Sequence, residues 1–600
     1  MAGSDFDWKP KRTTQECDRI ITAPGQIHEL ELAIIDGQVQ KVYKNLPASL
    51  RVFWLAAADA HKDRDYLVFE NERYTYAQTH ERVTKLASLL YAKYVAIIMR
   101  NFPEFVIAFW AIHVLGGVAT LVNAWSLHDP LLHCITKTNP KVIIVDPERA
   151  DRLVGRTLDE IKQRTSLNRV LVARSHEVRS SKWKWKGMSS LEDALASYDG
   201  PEDAWKAIPD PLPEDDATIF FTSGTTGLPK GVLSTQRQFL TNFFNALIGK
   251  FRALLRNGDS LPTPNPEEMQ KAALISVPLF HVTGCTSAMQ TYTGIGGKVV
   301  LMRKWDKDDA ARIIVKERVT TAGGVPSMVM DLIETSMETN YLESLSCGGA
   351  PASDTMPRDV LKRFRKMVDA GQGYGLSETN AIATTIQGED FLVRPASCGL
   401  ATPVIDLLVV DPTTNKIMPP NQIGELWIKG VNVMKGYYGE PAATEKAITR
   451  DGWFKSGDLA TIDEEGFVYI KDRVKDIIIR GGENIHSVEV ENALYADEKI
   501  IDAAAVSVPD KRLGELVAAV VATKPHFHGQ VTEEEVIAIA RKSLPGHAVP
   551  VMVLVQDEMI ERNPNGKIMK DSVRKRVRKE WARRLKEKAR GQSKSVKAKL

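Results

Sequence analysis

Between residues 221 and 231 the chain reads Phe221-Thr222-Ser223-Gly224-Thr225-Thr226-Gly227-Leu228-Pro229-Lys230-Gly231. Four hydroxyl side chains, glycines that leave their backbone N–H groups open and one lysine stand within ten residues. Such a loop can surround phosphate oxygens with backbone donors and hydroxyls, and the lysine adds a point charge. The spacing is not that of a Walker A loop, in which lysine directly follows the last glycine. Here Leu228 and Pro229 separate Gly227 from Lys230. The apolar pair Ile219-Phe220 before it and a helix-like run after it place the loop between a strand and a helix.

The stretch resembles the AMP-binding signature of the adenylate-forming superfamily, which includes acyl-CoA synthetases, adenylation domains of peptide synthetases and firefly luciferase. The resemblance covers about residues 45–570, keeps the family's motif order and is nearest in style to 4-coumarate-CoA ligase-like and fungal peroxisomal acyl-CoA ligases. It implies a two-step ligase that converts a carboxylic acid and ATP to acyl-AMP and pyrophosphate, then passes the acyl group to coenzyme A. Thr222, Ser223, Gly224, Thr225, Thr226, Gly227 and Lys230 would bind the ATP phosphates. His281, closing Pro278-Leu279-Phe280-His281, would gate the carboxylate against the phosphate. Gly349, Ala350 and Pro351 would lie against adenine, where glycine lets backbone approach a flat ligand.

In Gly371-Gln372-Gly373-Tyr374-Gly375-Leu376-Ser377-Glu378, the resemblance gives Gln372, Gly373, Tyr374, Gly375 and Ser377 to the nucleotide. Glu378 would be the oxygen ligand of Mg²⁺, which takes one or two carboxylates and completes its shell with phosphates and water. Asp458 would accept hydrogen bonds from both ribose hydroxyls, and Arg473 would contact ribose or phosphate. Lys475 falls at the family's hinge. Gly481, Gly482 and Glu483 match the loop that serves thioester formation with CoA. Lys567, in Asn563-Pro564-Asn565-Gly566-Lys567, matches the catalytic lysine of adenylation.

These residues need a scaffold that brings distant segments together. Helix and strand patterns alternate from residue 45 to about 410, which predicts an α/β domain with parallel and mixed sheets between helices. DLLVVD, GELWIKG and GFVYIKD then predict a small β-rich subdomain at about 400–474. Beyond it the pattern is α+β: a helix at 486–496, strands at 503–508 and 516–523, a helix at 533–543 and a strand at 550–555. The expected organisation is an N-terminal extension (1–44), an AMP-binding domain (45–474), a mobile C-terminal lid (475–570) and a basic tail (571–600). Residues 251–271, with three prolines, read as an exposed loop. A helix ending near Tyr91-Ala92-Lys93 runs into a strand at Val95 without the connector the family usually has. The junction is either a tightened turn or a gene-model error.

Composition bounds the rest. The 600 residues are 43% hydrophobic and 26% charged, which excludes a disordered chain or a polytopic membrane protein. Five scattered cysteines without a CxxC pair argue against a disulfide framework. The tail from 571 holds thirteen Lys/Arg against three Asp/Glu, while the remainder holds 66 against 73. Apart from Trp581, no aromatic residue interleaves this charge as nucleic-acid stacking requires. The 17-residue apolar run Val106–Val122 is broken by Gly116-Gly117 and reads as a buried helix, turn and strand, not a membrane span. The N-terminus has no signal-peptide core, and the ending Ala598-Lys599-Leu600 is similar to the peroxisomal S-K-L address. A peroxisomal import receptor is therefore an expected partner, with a cytoplasmic location as the alternative.

Other readings are a luciferase-like or stand-alone adenylase, an amino-acid adenylation domain and a non-catalytic AMP-binding protein. The segment Phe280–Met289 has no acidic residue to hold an amino group, and Lys567, Glu378, Asp458 and Arg473 are all present. The acid itself, fatty, aryl or short hydroxy, and the oligomeric state stay open.

Overall fold

The computed structural model describes residues 8–90, 94–177, 184–222, 228–263, 265, 267–350, 352, 354–364, 368–474, 476–481, 483–563 and 567–597, with side chains as far as 587. The chain forms two compact units. One comprises Met1–Leu407, Trp427–Lys455 and Glu465–Val468; the other comprises Leu408–Leu426, Ser456–Glu464 and Tyr469–Leu600.

The larger unit contains two large sheets. In the first, the order is Gly436–Tyr437, Lys230–Thr235, Asp216–Thr222, Val118–Leu121, Tyr94–Ile98, Val142–Val145, Arg169–Val172, Ser189–Ser190. It is parallel from Asp216–Thr222 outward to Ser189–Ser190 and antiparallel at the other edge. The second sheet runs Leu400–Ala401, Ala381–Gln387, Asp369–Leu376, Ser344–Gly348, Thr321–Gly324, Ala272–Ile275, Lys298–Leu301, Asp65–Phe69, Glu72–Thr75. Its six inner strands are parallel.

The apolar run is a buried helix, Pro103–Val114, followed by strand Val118–Leu121. Nearly every face of this helix is covered, by helix Tyr76–Leu90 and the strands on either side. That is why it lacks an amphipathic pattern. Gly116, at φ +76°, makes the turn that the sequence places there. Among the described residues no helix is long and apolar enough to cross a membrane.

Two local readings change. Residues 251–257 are not loop: helix Gln236–Asn257 runs through them to a left-handed Gly258. Its charged residues turn inward because partners await them. Arg252 grips Asp18 at 2.7 and 2.9 Å, and buried Arg256 grips Asp390 at 2.8 Å through two nitrogens. The N-terminal extension, which has little periodicity, holds a helix Thr14–Ile21, capped reciprocally by Thr13 and Glu16, and a hairpin of Leu30–Ile35 with Gln38–Tyr43. Cys17 and Ile21 pack on Ile248 and Leu255. The junction at 91–93 lies outside the described residues; the helix before it ends at Leu90 and the strand after it starts at Tyr94.

Strands Ile405–Val410, Gly424–Gly430, Phe454–Ile462 and Val468–Arg473 form the small sheet, in that order. In the smaller unit, strands Glu483–Ile485, Ile478–Arg480, Gly514–Thr523 and Ile500–Asp510 lie side by side, and Met552–Gln556 pairs in parallel with Gly514–Thr523. Helices Ser487–Tyr495 and Glu533–Ser543 cover one face of this sheet through Val490, Leu494, Val536 and Ala540. Helix Lys570–Lys597 covers the other through Val573 and Val577. The division by compactness differs from a boundary at Lys475, a residue outside those described. Asp472 explains part of the difference: its carboxylate accepts from the backbone and hydroxyl of Ser487, drawing the end of strand Val468–Arg473 into the C-terminal packing.

Candidate active site

In the larger unit, the expected phosphate loop joins two paired strands, where the sequence pattern puts a helix directly after it; helix Gln236–Asn257 starts only beyond the second strand. Strand Asp216–Thr222 leads into the loop and strand Lys230–Thr235 leads out, with Thr222 opposite Lys230. Ser223, Gly224, Thr225, Thr226 and Gly227 lie outside the described residues. Lys230 holds its ammonium 4.6 Å from the centre of the Tyr437 ring. The Tyr437 hydroxyl donates to Glu378 Oε1 at 2.9 Å. A cation, an aromatic face and a carboxylate therefore stand in one row. Burial, and after it the Glu378 charge, push the Tyr437 phenol well above its ordinary value, so it remains a donor.

Tyr437 was not among the residues the sequence picked out. It lies in the two-residue strand Gly436–Tyr437, opposite Val232. A Gly-Tyr-Tyr-Gly run, Gly436 to Gly439, is the only signal that marks it in the sequence.

Glu378 sits in a single 3₁₀ turn, Ser377–Thr379, after strand Asp369–Leu376. Its carbonyl accepts from the Met434 N–H at 2.8 Å. Thr379 Oγ1 donates towards the carbonyls of Leu376 and Ala381, and buried Asn432 donates to the Thr379 carbonyl at 2.7 Å. Asn380 takes the left-handed conformation, at φ +51°, that turns the chain into strand Ala381–Gln387. Gly375 is required by close approach: a Cβ there would stand 1.4 Å from the Ala381 carbonyl oxygen.

The two segments expected around adenine are neighbours. Strands Ser344–Gly348 and Asp369–Leu376 are parallel, with Cys347 opposite Gln372 and Gly348 opposite Gly373. Gly349, at φ +77°, and Ala350 follow directly on the first strand. Pro351 lies outside the described residues.

His281 ends a tight turn in which its N–H donates to the Pro278 carbonyl at 3.1 Å. Its Nδ1 is 3.2 Å from Thr283 Oγ1. A π-helical stretch, Thr283–Met289, follows at once, a rare geometry often found at functional sites. Gly284 allows it: a Cβ there would lie 2.4 Å from the Pro278 oxygen. Asn242 fastens this stretch, donating to Thr286 O at 3.0 Å and accepting from Ile382 N–H at 2.9 Å.

In the smaller unit, Asp458 is buried and Arg473 Nε stands 3.4 Å from its carboxylate. Two adjacent strands thus present a carboxylate and a guanidinium together. Lys567 is partly buried at the end of the 563–567 turn. The Asn563 N–H donates to Lys567 O at 2.8 Å, and Asn563 Oδ1 accepts from Lys567 N at 3.0 Å. An isolated bridge, Arg562 to Ile568, closes the turn. Gly481, at φ +61°, donates to Leu513 O at 2.7 Å, and Glu483 is exposed at the start of its strand. Lys475 and Gly482 lie outside the described residues.

The row through Tyr437 generates a test. Tyr437→Phe keeps the ring beneath Lys230 and removes only the donor to Glu378. A hydrogen bond to a charged group contributes about 1.5–3 kcal/mol, so kcat/KM for ATP is expected to fall about 10–100-fold in a pyrophosphate-release assay. Tyr437→Leu, which also removes the ring, is expected to fall further.

Known proteins resemble this chain over most of its length. The AMP-binding enzyme family matches residues 54–438, and the AMP-binding enzyme C-terminal domain matches 489–567. A feruloyl-CoA synthase from an Amycolatopsis species is 31% identical over 516 residues, covering 84% of this chain and 94% of that protein. A 2-succinylbenzoate–CoA ligase from Bacillus mycoides (strain KBAB4) is 29% identical over 526 residues, 86% of this chain and 96% of its own. The crystal structure of ATP-bound MatB from Rhodopseudomonas palustris superposes with a TM-score of 0.73 at 25% identity, covering 88% of this chain and 99% of that one. The two domain matches fall in chain order, the first over the segments of the expected phosphate loop, His281 and Glu378 and the second reaching Lys567: this chain belongs to the AMP-binding enzyme family.

Proposed function

We infer that this chain is an ATP-dependent acid–CoA ligase that works through an acyl-adenylate. The observation that carries the reading is the row Lys230, Tyr437, Glu378, set beside the phosphate-loop strands in a member of this family. In the first step an oxygen of the acid's carboxylate attacks the α-phosphorus of ATP. The bond from that phosphorus to the bridging oxygen breaks, and pyrophosphate leaves. Charge grows on phosphate oxygens, where Lys230 and Lys567 donate, and donors already in place stabilise such charge most. Asp458 accepts from the ribose hydroxyls, with Arg473 beside it.

The single hard carboxylate of Glu378, oriented by the Tyr437 hydroxyl, fits Mg²⁺, an ion that draws most of its shell from phosphate and water. When bound, Mg²⁺ neutralises phosphate charge. In the second step the sulfur of CoA attacks the acyl carbonyl carbon, the carbon–oxygen bond to AMP breaks, and the thiol proton passes to solvent. The Gly481–Glu483 loop serves this step.

Separate assays of the two steps test the reading. Lys567→Ala is expected to lower acyl-AMP formation about 10²–10³-fold, the usual loss for one donor at a developing charge, while thioester formation from supplied acyl-AMP continues. Equal loss in both steps contradicts a role in adenylation alone.

The acid is proposed to be apolar, aromatic or aliphatic. Buried Phe280 lies in the His281 turn and buried Cys285 and Met289 lie in the π-helical stretch, and relatives carry the names feruloyl-CoA synthase and 4-coumarate–CoA ligase-like. In a CoA-dependent AMP-release assay, an arylpropenoic or medium-chain fatty acid is expected to exceed a short hydroxy or dicarboxylic acid at least about tenfold in kcat/KM. One buried methylene alone discriminates by about that much. The reverse order overturns the apolar assignment.

Residues Ala598-Lys599-Leu600, outside those described, are proposed as a peroxisomal address read by an import receptor, which would place the thioester in fatty acid or secondary metabolism. A fluorescent reporter fused to residues 589–600 is expected to enter peroxisomes; a cytosolic reporter overturns the address.

A further inference from the structure

The turn that carries His281 is held by groups outside its own sheet. Asn101 follows strand Tyr94–Ile98 of the eight-stranded sheet and is 3% exposed. Its Nδ2 lies 2.9 Å from Val277 O, 3.2 Å from Met302 O and 3.3 Å from Ile275 O. Its Oδ1 accepts from the Leu279 N–H at 2.9 Å. One amide therefore grips the backbone on both sides of Pro278 and ties down the ends of strands Ala272–Ile275 and Lys298–Leu301. On the far side of the turn, Gly284 presses against the Pro278 carbonyl with no room for a Cβ.

A second hold lies next to the first. Phe280 meets Trp125 edge to face, with centroids 5.5 Å apart. The Arg149 guanidinium stands 5.4 Å from the centre of the Trp125 ring, and its Nε donates to Ala124 O at 2.7 Å. Arg149 is itself buried beside Asp146. Asn101, Trp125 and Asp146 follow three neighbouring parallel strands, Tyr94–Ile98, Val118–Leu121 and Val142–Val145. The chain order reverses there, because the strands on either side of Tyr94–Ile98 come later in sequence. The crevice beyond the carboxyl ends of such strands is where open α/β sheets usually hold a ligand. Here it holds the Pro278–His281 turn.

We propose that Asn101 is the positioning residue for His281, and that the Trp125–Phe280 contact supports it from the other side. This rests on the reading of His281 as the group that sets the acid against the α-phosphate. Asn101 touches no reactant. It fixes a turn in which a displacement of about 1 Å at the reacting atoms is enough to cost about 10²-fold in rate. Among the described residues the hydrogen bonds of Asn101 reach neither the Glu378 nor the Lys230 element, so nucleotide binding is expected to be independent of it.

The test compares Asn101→Asp, Trp125→Leu and His281→Ala in the full chain. Asn101→Asp can still accept from the Leu279 N–H but sets an oxygen against three carbonyl oxygens. Its acyl-AMP formation is expected to drop about 10²-fold at saturating ATP, with KM for ATP and the rate of thioester formation from supplied acyl-AMP each within about threefold of the parent. Trp125→Leu, at a partly buried position, is expected to show the same split more weakly and covers the case in which Asn101→Asp does not fold. Loss of both half-reactions in proportion marks a merely structural role and overturns the proposal. A normal rate in Asn101→Asp and Trp125→Leu beside a slow His281→Ala overturns the proposal alone. A normal rate in His281→Ala overturns the assignment of His281, and the proposal with it.

Discussion

Backbone groups at the ends of strands Ala272–Ile275, Lys298–Leu301 and Ala381–Gln387 run out of ladder partners, and buried asparagine amides pair them. Leaving such a group buried and unpaired costs about 1–3 kcal/mol. Asparagine carries a donor and an acceptor on a short, stiff arm, so one side chain can close two or more open ends. Asn101 closes the ends around Pro278. Asn242 joins the π-helical stretch to Ile382. Asn245 donates to Ile382 O and accepts from the Tyr43 hydroxyl. Asn380 and Asn432 donate to each other's neighbourhoods, Asn380 to the Asn432 carbonyl and Asn432 to that of Thr379. These amides converge on the two segments that bear His281 and Glu378, where the geometry of the chemistry is most demanding.

Charge is arranged under the same pressure. Buried Arg252 and Arg256 each face a carboxylate through two nitrogens, an arrangement that offsets the loss of their hydration. At the site, Lys230 and Glu378 flank one ring. A tyrosine stands between them, offering its face to the cation and its hydroxyl to the anion.

The smaller unit has its own internal frame. Lys570, three residues beyond Lys567, pairs with Glu491 at 2.8 Å and donates to Ser487 Oγ at 2.5 Å; Ser487 in turn donates to Asp472 at 3.0 Å through that hydroxyl. Burial pushes the Glu491 carboxyl up, and Lys570 opposes it. This chain of bonds links the base of the lysine turn to the strand that carries Arg473. Within this unit the two functional segments therefore share one support.

What the sequence determined by itself was local. The run from Thr222 to Lys230 reads as a phosphate loop from its own glycines, hydroxyls and lysine, groups that would act through their own backbone and immediate neighbours. Helices Ser487–Tyr495 and Glu533–Ser543, and the buried helix, glycine turn and strand at 103–121, lie within a few residues of where periodicity puts them. The motif order also carried the family. Tertiary structure alone decided the rest. Tyr437 matters because an antiparallel edge strand places it between Lys230 and Glu378, residues far from it in the chain. Asn101 matters because the crevice of one sheet receives a turn of the other. Residues 251–257 read as loop from their charges, and became helix because Asp18 and Asp390 were waiting to pair with them. Neighbours along the chain fix periodicity and turns; partners hundreds of residues apart exist only once the topology has brought their strands side by side.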